Sequence, residues 1–298
     1  MKRIAIANLK GGVGKSTTTL FLAEGLALHH KLRALVLDLD PQANCSFMLL
    51  SRKGVESAET NQRTLPHYLL ELLESSQPNN GTKSIELQRF LSRDSSDLGE
   101  LKEGGAGRLD LLPSIPRMWF VENKFEKIYH IQKKEPSIEL GQIFDSGLKQ
   151  IASGYDVALI DCPPGFSSLT RMGLLLSDAI ISPTIADEVS ARSLRDFVDI
   201  GLGEILGFGN RTNHHVVISK FIENQRTQTM RQYLRDHYSV LEPSIRYSVK
   251  IMDALSSMGQ ESSRSFRQKY QDRSAEVTKL AAAAFNQVYE RTEIPDDR

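Results

Sequence analysis

The residues best suited to chemistry stand near the start of the chain, where positions 10–17 read Lys-Gly-Gly-Val-Gly-Lys-Ser-Thr. Three glycines directly after a short apolar run let backbone N–H groups point inward as a nest for phosphate oxygens. A helix beginning at the next residues would aim its positive N-terminal end at the same anion. In such a loop Gly11, Gly12, Val13 and Gly14 supply the backbone, Lys15 bridges the β- and γ-phosphates, Ser16 offers a hydroxyl to Mg²⁺ and Thr17 is placed for the α-phosphate. The ordinary phosphate-loop template wants a glycine at position 9, where Leu9 stands, and a second lysine, Lys10, heads the loop instead.

Two acidic strand ends follow. Asp38-Leu39-Asp40-Pro41-Gln42-Ala43-Asn44 closes the apolar run at 32–37, and alternation along a strand puts Asp38 and Asp40 on one side. Asp161 ends a second apolar run at 155–161 and leads into Cys162-Pro163-Pro164-Gly165, which cannot continue a strand ladder.

The loop with its extra Lys10, the DLDPQAN run and Asp161, in this order, resemble the ParA/MinD family of P-loop ATPases. The resemblance implies ATP and Mg²⁺ as cofactors and a sandwich dimer in which Lys10 reaches the partner's nucleotide. It also implies that Asp40 orients the attacking water, that Asp38 lies near the metal shell, that Asp161 holds Mg²⁺ through water, and that Pro163-Pro164-Gly165 forms a switch sensing the γ-phosphate. The likeness continues through LDLLPS at 109–114, DAIISPTIADEVSARSL at 178–194 and SIRYSVKIMDA at 244–254, and lapses over 51–107. Where the family lines the adenine with an Ile-Pro-Arg-Asn type run, this chain has Ile245-Arg246-Tyr247-Ser248, so its base contacts are open.

The elements that must position these groups are legible as an alternation. Strands are expected at 3–8, 32–37, 108–113, 155–161, 178–183, 215–221 and near 240–246, and helices over 16–30, 116–131, 137–153, 188–206, 226–237 and 272–291. Such alternation predicts an α/β fold: a doubly wound, mostly parallel twisted sheet with helices on both faces, in one domain spanning the 298 residues. Residues 51–107, rich in Ser, Asn, Gly and charge around PHYLLELLES and IELQRFL, are expected to be a helical and loop elaboration, because a structureless loop of that length is abnormal in a compact domain.

Bulk properties narrow the function. No stretch approaches the roughly 18 to 20 apolar residues of a membrane span, and no signal peptide is read at the N-terminus. Cys45 and Cys162 do not form a CxxC pair and are read as small buried side chains, which with the missing signal favours a reducing cytoplasm. Scattered histidines do not suggest a metal site. The formal net charge is zero, so any nucleic-acid surface must be local. Members of the ParA branch bind DNA without sequence preference as ATP dimers, and by that resemblance Arg226, Arg246, Lys250 and Arg267 are the candidate contacts to double-stranded DNA. The acidic, proline-containing end TEIPDDR disfavours the membrane helix of the MinD branch. The implied role is plasmid or chromosome segregation by a nucleoid-associated homodimer whose weak hydrolysis is stimulated by a ParB-like centromere-binding partner. The alternatives are a ParA-like ATPase positioning a protein cargo, a microcompartment or chemoreceptor cluster, and an ATP-gated regulatory binding protein with negligible turnover.

Overall fold

A computed structural model of the chain describes residues 1–75, 85–103, 107–131, 133–207, 213–249 and 263–290. Seven strands, β1 (Lys2–Ile6), β2 (Arg33–Asp38), β3 (Arg108–Leu112), β4 (Val157–Asp161), β5 (Ala179–Thr184), β6 (His214–Ile218) and β7 (Val240–Leu241), form one sheet in the order β3-β2-β4-β1-β5-β6-β7. All pairings between these strands are parallel. The expected doubly wound α/β fold is therefore what the chain adopts. Parallel strands need crossovers, and each crossover covers a face, so the strands read as nearly continuous apolar runs. Alternate side chains divide between two cores. Ile4, Ile6, Ala34 and Val36 pack beneath α1 (Lys15–His29) and the C-terminal helix Ser274–Ala284, whereas Ala5, Ala7, Leu35 and Leu37 face the opposite layer.

That opposite layer holds α3 (Leu65–Ser75), α5 (Met118–Ile131), α6 (Pro136–Ile151), α7 (Ser168–Leu175) and α8 (Glu188–Asp196); in chain order α2 (Asn44–Thr60) precedes α3, and the short α4 (Gly99–Lys102) lies between α3 and α5. On the first face, α1 and the C-terminal helix approach so closely that a Cβ on Gly25 would come within 2.5 Å of the Ala281 Cβ. Burial of Leu20, Leu22, Leu26, Val277 and Leu280, all 0% exposed, contributes about 1.5–3 kcal/mol per side chain. A bulky residue at position 25 would wedge that pair apart.

Several boundaries differ from those expected. The helix foreseen over 188–206 is α8, a π-helical stretch Phe197–Leu202 and a last turn, α9 (Gly203–Leu206). The strand near 240–246 shortens to Val240–Leu241, since Pro243 has no N–H to give a ladder. α10 (Gln225–His237) starts from a capping box, Asn224 with Thr227. The elaboration does not begin at 51: α2 starts at Asn44 and is kinked at Ser51, whose φ of 66° lies outside the helical region. Beyond α3, residues 85–103 return to the body. Leu87, Phe90 and Leu91 enter the core, Ser92 bridges Leu111, and Leu98 bridges Arg264.

Candidate active site

β1 lies between β4 and β5, and α1 follows it on one face, so the loop after β1 opens where the winding reverses, at the carboxyl ends of the strands. Residues 10–14 form that loop. Gly12 has φ 74° and Gly14 φ 86°, the left-handed region a side chain disfavours. Gly14 is also the N-cap of α1, with no side-chain cap and no acidic residue in the first turn, so the first amides are left for an external anion.

Lys15 is 7% exposed and its Nζ donates to the Lys10 carbonyl at 3.1 Å, which curls the loop over its own head. Burial depresses its pKa, against the opposing pull of Asp161 and Asp40. Lys10 is tied within its own chain: Nζ donates to Ser190 Oγ at 2.7 Å and lies 3.9 Å from Asp187 Oδ1, at the start of α8. Asp187 caps that helix by accepting from the Ser190 amide at 2.8 Å.

Register brings the two acidic strand ends together, since Asp38 and Asp161 are direct partners across β2 and β4. Both are fully buried, and burial pushes both above the usual carboxylate range, with repulsion from Asp40 adding to it at Asp38 and from Asp38 and Asp40 at Asp161. Their surroundings differ. Asp38 accepts from the Asp40 amide at 3.1 Å, the Ser46 amide at 2.8 Å and Ser46 Oγ at 2.6 Å, so both its oxygens bind protein donors. It thereby caps the N-terminus of α2, a favourable place for a carboxylate. Asp161 accepts from Thr19 Oγ1 at 3.2 Å and has the Ser16 hydroxyl beside it, while its Oδ2 is buried without a hydrogen-bond partner. An orphaned buried carboxylate oxygen beside a serine hydroxyl fits a divalent cation. Among the described residues no group of three or more His, Cys, Asp or Glu side chains is arranged to hold a metal. A cation here would thus rely on Ser16, Asp161, water and the oxygens of a bound phosphate chain, the pattern Mg²⁺ favours.

The glycines, Lys15, Ser16 and Thr17 line a cavity of about 630 Å³ together with Asp40, Gln42, Asn44, Phe47, Met48, Arg52, Pro164 and Lys220. Asp40 is raised by burial, and its Oδ1 accepts from the Gln42 amide at 2.8 Å. A second cleft adjoins the first, lined by Gly14, Thr17, Thr18, Phe21, Ser219, Lys220, Ile245, Arg246, Tyr247 and Ser248. The run left open in the sequence, Ile245 to Ser248, therefore forms a wall beside the phosphate loop. Arg246 is held there by Glu276, with Nε donating to Oε1 at 2.6 Å.

Among the other candidate DNA contacts, Arg226 at the start of α10 and Arg267 on the short helix Phe266–Tyr270 are exposed, and Lys250 lies outside the described residues, as does the TEIPDDR end. Arg231 and Arg235 on α10 are instead paired with Glu242, at 3.2 and 2.6 Å. Cys45 and Cys162 are buried free thiols. Among the described residues no helix is long and apolar enough to cross a membrane.

Sequence reasoning missed three groups of residues. Ser219 and Lys220 reach the loop from the end of β6, and Arg52 follows the kink in α2; neither backbone setting has a local pattern. Glu122 and Glu126 on α5 hold the start of α7, just after Pro163-Pro164-Gly165, by accepting from the Leu169 amide at 3.2 Å and from Ser168 Oγ at 3.0 Å. Their spacing of one helical turn was the available signal.

A family described as AAA domain matches residues 1–201. An uncharacterized protein of Pseudomonas putida is 33% identical over 199 residues, covering 66% of this chain and 61% of that protein. The sporulation initiation inhibitor protein Soj of Bacillus subtilis is 27% identical, over 66% of this chain and 64% of its own length. A ParA family protein of Mycoplasma pneumoniae is 30% identical, over 66% and 63%. The matched stretch thus spans less than two thirds of these curated relatives. In fold, the chain is similar to a putative plasmid partition protein of Borrelia burgdorferi bound to AMPPNP, with TM-score 0.71, 20% identity and coverage of 96% and 99%. It is also similar to apo McdA of Cyanothece, with TM-score 0.66, 19% identity and coverage of 95% and 99%. With the phosphate loop, the paired carboxylates and the sheet order in place, the chain belongs to the ParA/MinD-type P-loop ATPases.

Proposed function

We propose that this chain binds ATP·Mg in the 630 Å³ cavity, dimerises around it, binds DNA without sequence preference in that state, and is released when a partner stimulates hydrolysis. The observation that carries the reading is an uncapped helix N-terminus, Lys15 and Ser16 lining one cavity, with the unpartnered Asp161 Oδ2 buried behind them beside Ser16. A triphosphate satisfies the amides and the ammonium, and a cation satisfies the carboxylate.

The chain's own residues divide the work. The amides of residues 11–15 and the Lys15 ammonium bind the phosphate chain and stabilise charge as the terminal phosphoryl group moves to water. Ser16 and Asp161 would hold Mg²⁺, which when bound would supply Lewis-acid neutralisation of the phosphate charge. Asp40, fixed by the Gln42 amide, orients the attacking water. Asp38 positions Asp40 and the start of α2. Lys10 must leave Ser190 to serve a partner's nucleotide, so each subunit alone is incomplete. Slow intrinsic turnover follows, as a switch requires. Pro164 lines the cavity and the segment after it is gripped by α5, which gives the γ-phosphate a route to a surface helix.

The similarity to a partition protein supports segregation as the biological role; positioning of a protein cargo uses the same cycle, and the identity of the stimulating partner separates the two. The test is DNA retardation with ATP, ADP and no nucleotide at several salt concentrations. ATP-specific retardation that weakens steeply with salt supports the reading. Equal retardation in all three states, or none, overturns it.

A further inference from the structure

We infer that Lys220 is a second cation of the nucleotide site, supplied within the chain from the end of β6, and that with Ser219 it presets the phosphate loop. The inference rests on the nucleotide reading of the cavity. Two consecutive loop carbonyls are taken by consecutive side chains: Lys220 Nζ donates to the Gly12 carbonyl at 2.8 Å, and Ser219 Oγ donates to the Val13 carbonyl at 2.7 Å. A trans peptide points its C=O and the following N–H in opposite directions. Holding Gly12 O and Val13 O therefore fixes the amides of Val13 and Gly14 facing away from those anchors, before any ligand arrives. Ser219 is itself pinned, its amide donating to the Thr184 carbonyl at 2.8 Å, so the clamp is referred back to the sheet.

Lys220 carries a cost that a purely filling residue would not. Its φ is 50°, in the left-handed region that non-glycine residues avoid and that recurs where geometry serves a site. Its side chain lines both the phosphate cavity and the adjoining cleft, so its amine stands where the two meet. An ammonium has three donors; one goes to Gly12, which leaves two that the oxygens of a bound ligand can take. The ligand class is a nucleoside di- or triphosphate.

The test compares Lys220→Met, Lys220→Arg and Lys220→Gly with the parent chain by calorimetric titration of ATP·Mg and ADP·Mg, with thermal midpoints measured without nucleotide. Loss of a charge-assisted contact predicts that Met and Gly weaken both nucleotides by about tenfold or more, that Arg restores most of the affinity, and that Gly, which relieves the φ strain, leaves the midpoint unchanged or higher. Unchanged affinity in Lys220→Met, or a loss in Lys220→Gly that tracks a lowered midpoint, overturns the inference. Failure of the parent chain to bind either nucleotide would instead defeat the reading of the cavity itself.

Discussion

Replacing Lys269 with Met would remove a cation from the interior of the α1 face and leave its partners behind. The Lys269 and Glu24 side chains are both 0% exposed, and Nζ lies 2.7 Å from Glu24 Oε1 and 2.6 Å from Asp97 Oδ1. Glu24 also accepts from Ser96 Oγ at 2.6 Å and from the Tyr270 hydroxyl, and Asp97 pairs with Arg264 at 3.0 Å. The cluster ties three separate stretches, the phosphate-loop helix, residues 96–97 and the short helix Phe266–Tyr270, into one body. Removing one partner of a buried pair costs ~3–5 kcal/mol, and the donors Glu24 and Asp97 retain place this case near ~3 kcal/mol. Against a total stability of about 5–15 kcal/mol the chain stays folded, and a midpoint drop of about 5 °C follows for a chain of this length. Urea unfolding followed by circular dichroism reads the loss. Adding Glu24→Gln should recover part of it, because the stranded charge is then gone. A loss below about 1 kcal/mol in Lys269→Met would refute the argument that this cluster is desolvated and mutually dependent.

Acid should act on the same cluster through Asp97. Burial works to raise its pKa, but Lys269 and Arg264 outweigh burial and hold it below the usual carboxylate value. Its contribution is therefore present above about pH 4 and lost as pH falls through the depressed value, so the urea midpoint should fall more steeply below pH 4 in the parent than in Asp97→Asn. Gly14→Ala places a Cβ on a residue at φ 86° that caps α1, at a cost of about 1–2 kcal/mol; nucleotide affinity should drop at least about tenfold with only a small change in melting. Asp40→Ala should retain ATP binding in a titration while lowering phosphate release by about a hundredfold or more in a turnover assay.

The parts of this molecule that follow from period and punctuation were legible in advance. Apolar runs ending in glycine or aspartate marked the strands that matter, and the loop from Lys10 to Thr17 announced its own geometry because glycines are needed where φ is positive. What stayed hidden depends on partners distant in sequence. Nothing local says that Lys10 rests on Ser190 or that Lys220 reaches Gly12, since these contacts are made by parallel register and crossover packing. The helix Phe266–Tyr270 is too short to show a period, and its function as an anchor appears only when Lys269 and Tyr270 meet Glu24. Residues 85–103 read as elaboration because their apolar residues, Leu87, Phe90, Leu91 and Leu98, have no helical or strand spacing, yet all four are buried.

The central claim is that one cavity, incomplete in a single subunit, assembles around ATP. Sedimentation of the Asp40→Ala chain, in which bound ATP should persist, measures this directly with ATP·Mg, ADP·Mg and no nucleotide, beside the same chain carrying Lys10→Ala. The account predicts a dimer with ATP·Mg alone and its loss on Lys10→Ala. A monomer under every condition, or a dimer indifferent to nucleotide and to Lys10, would contradict it.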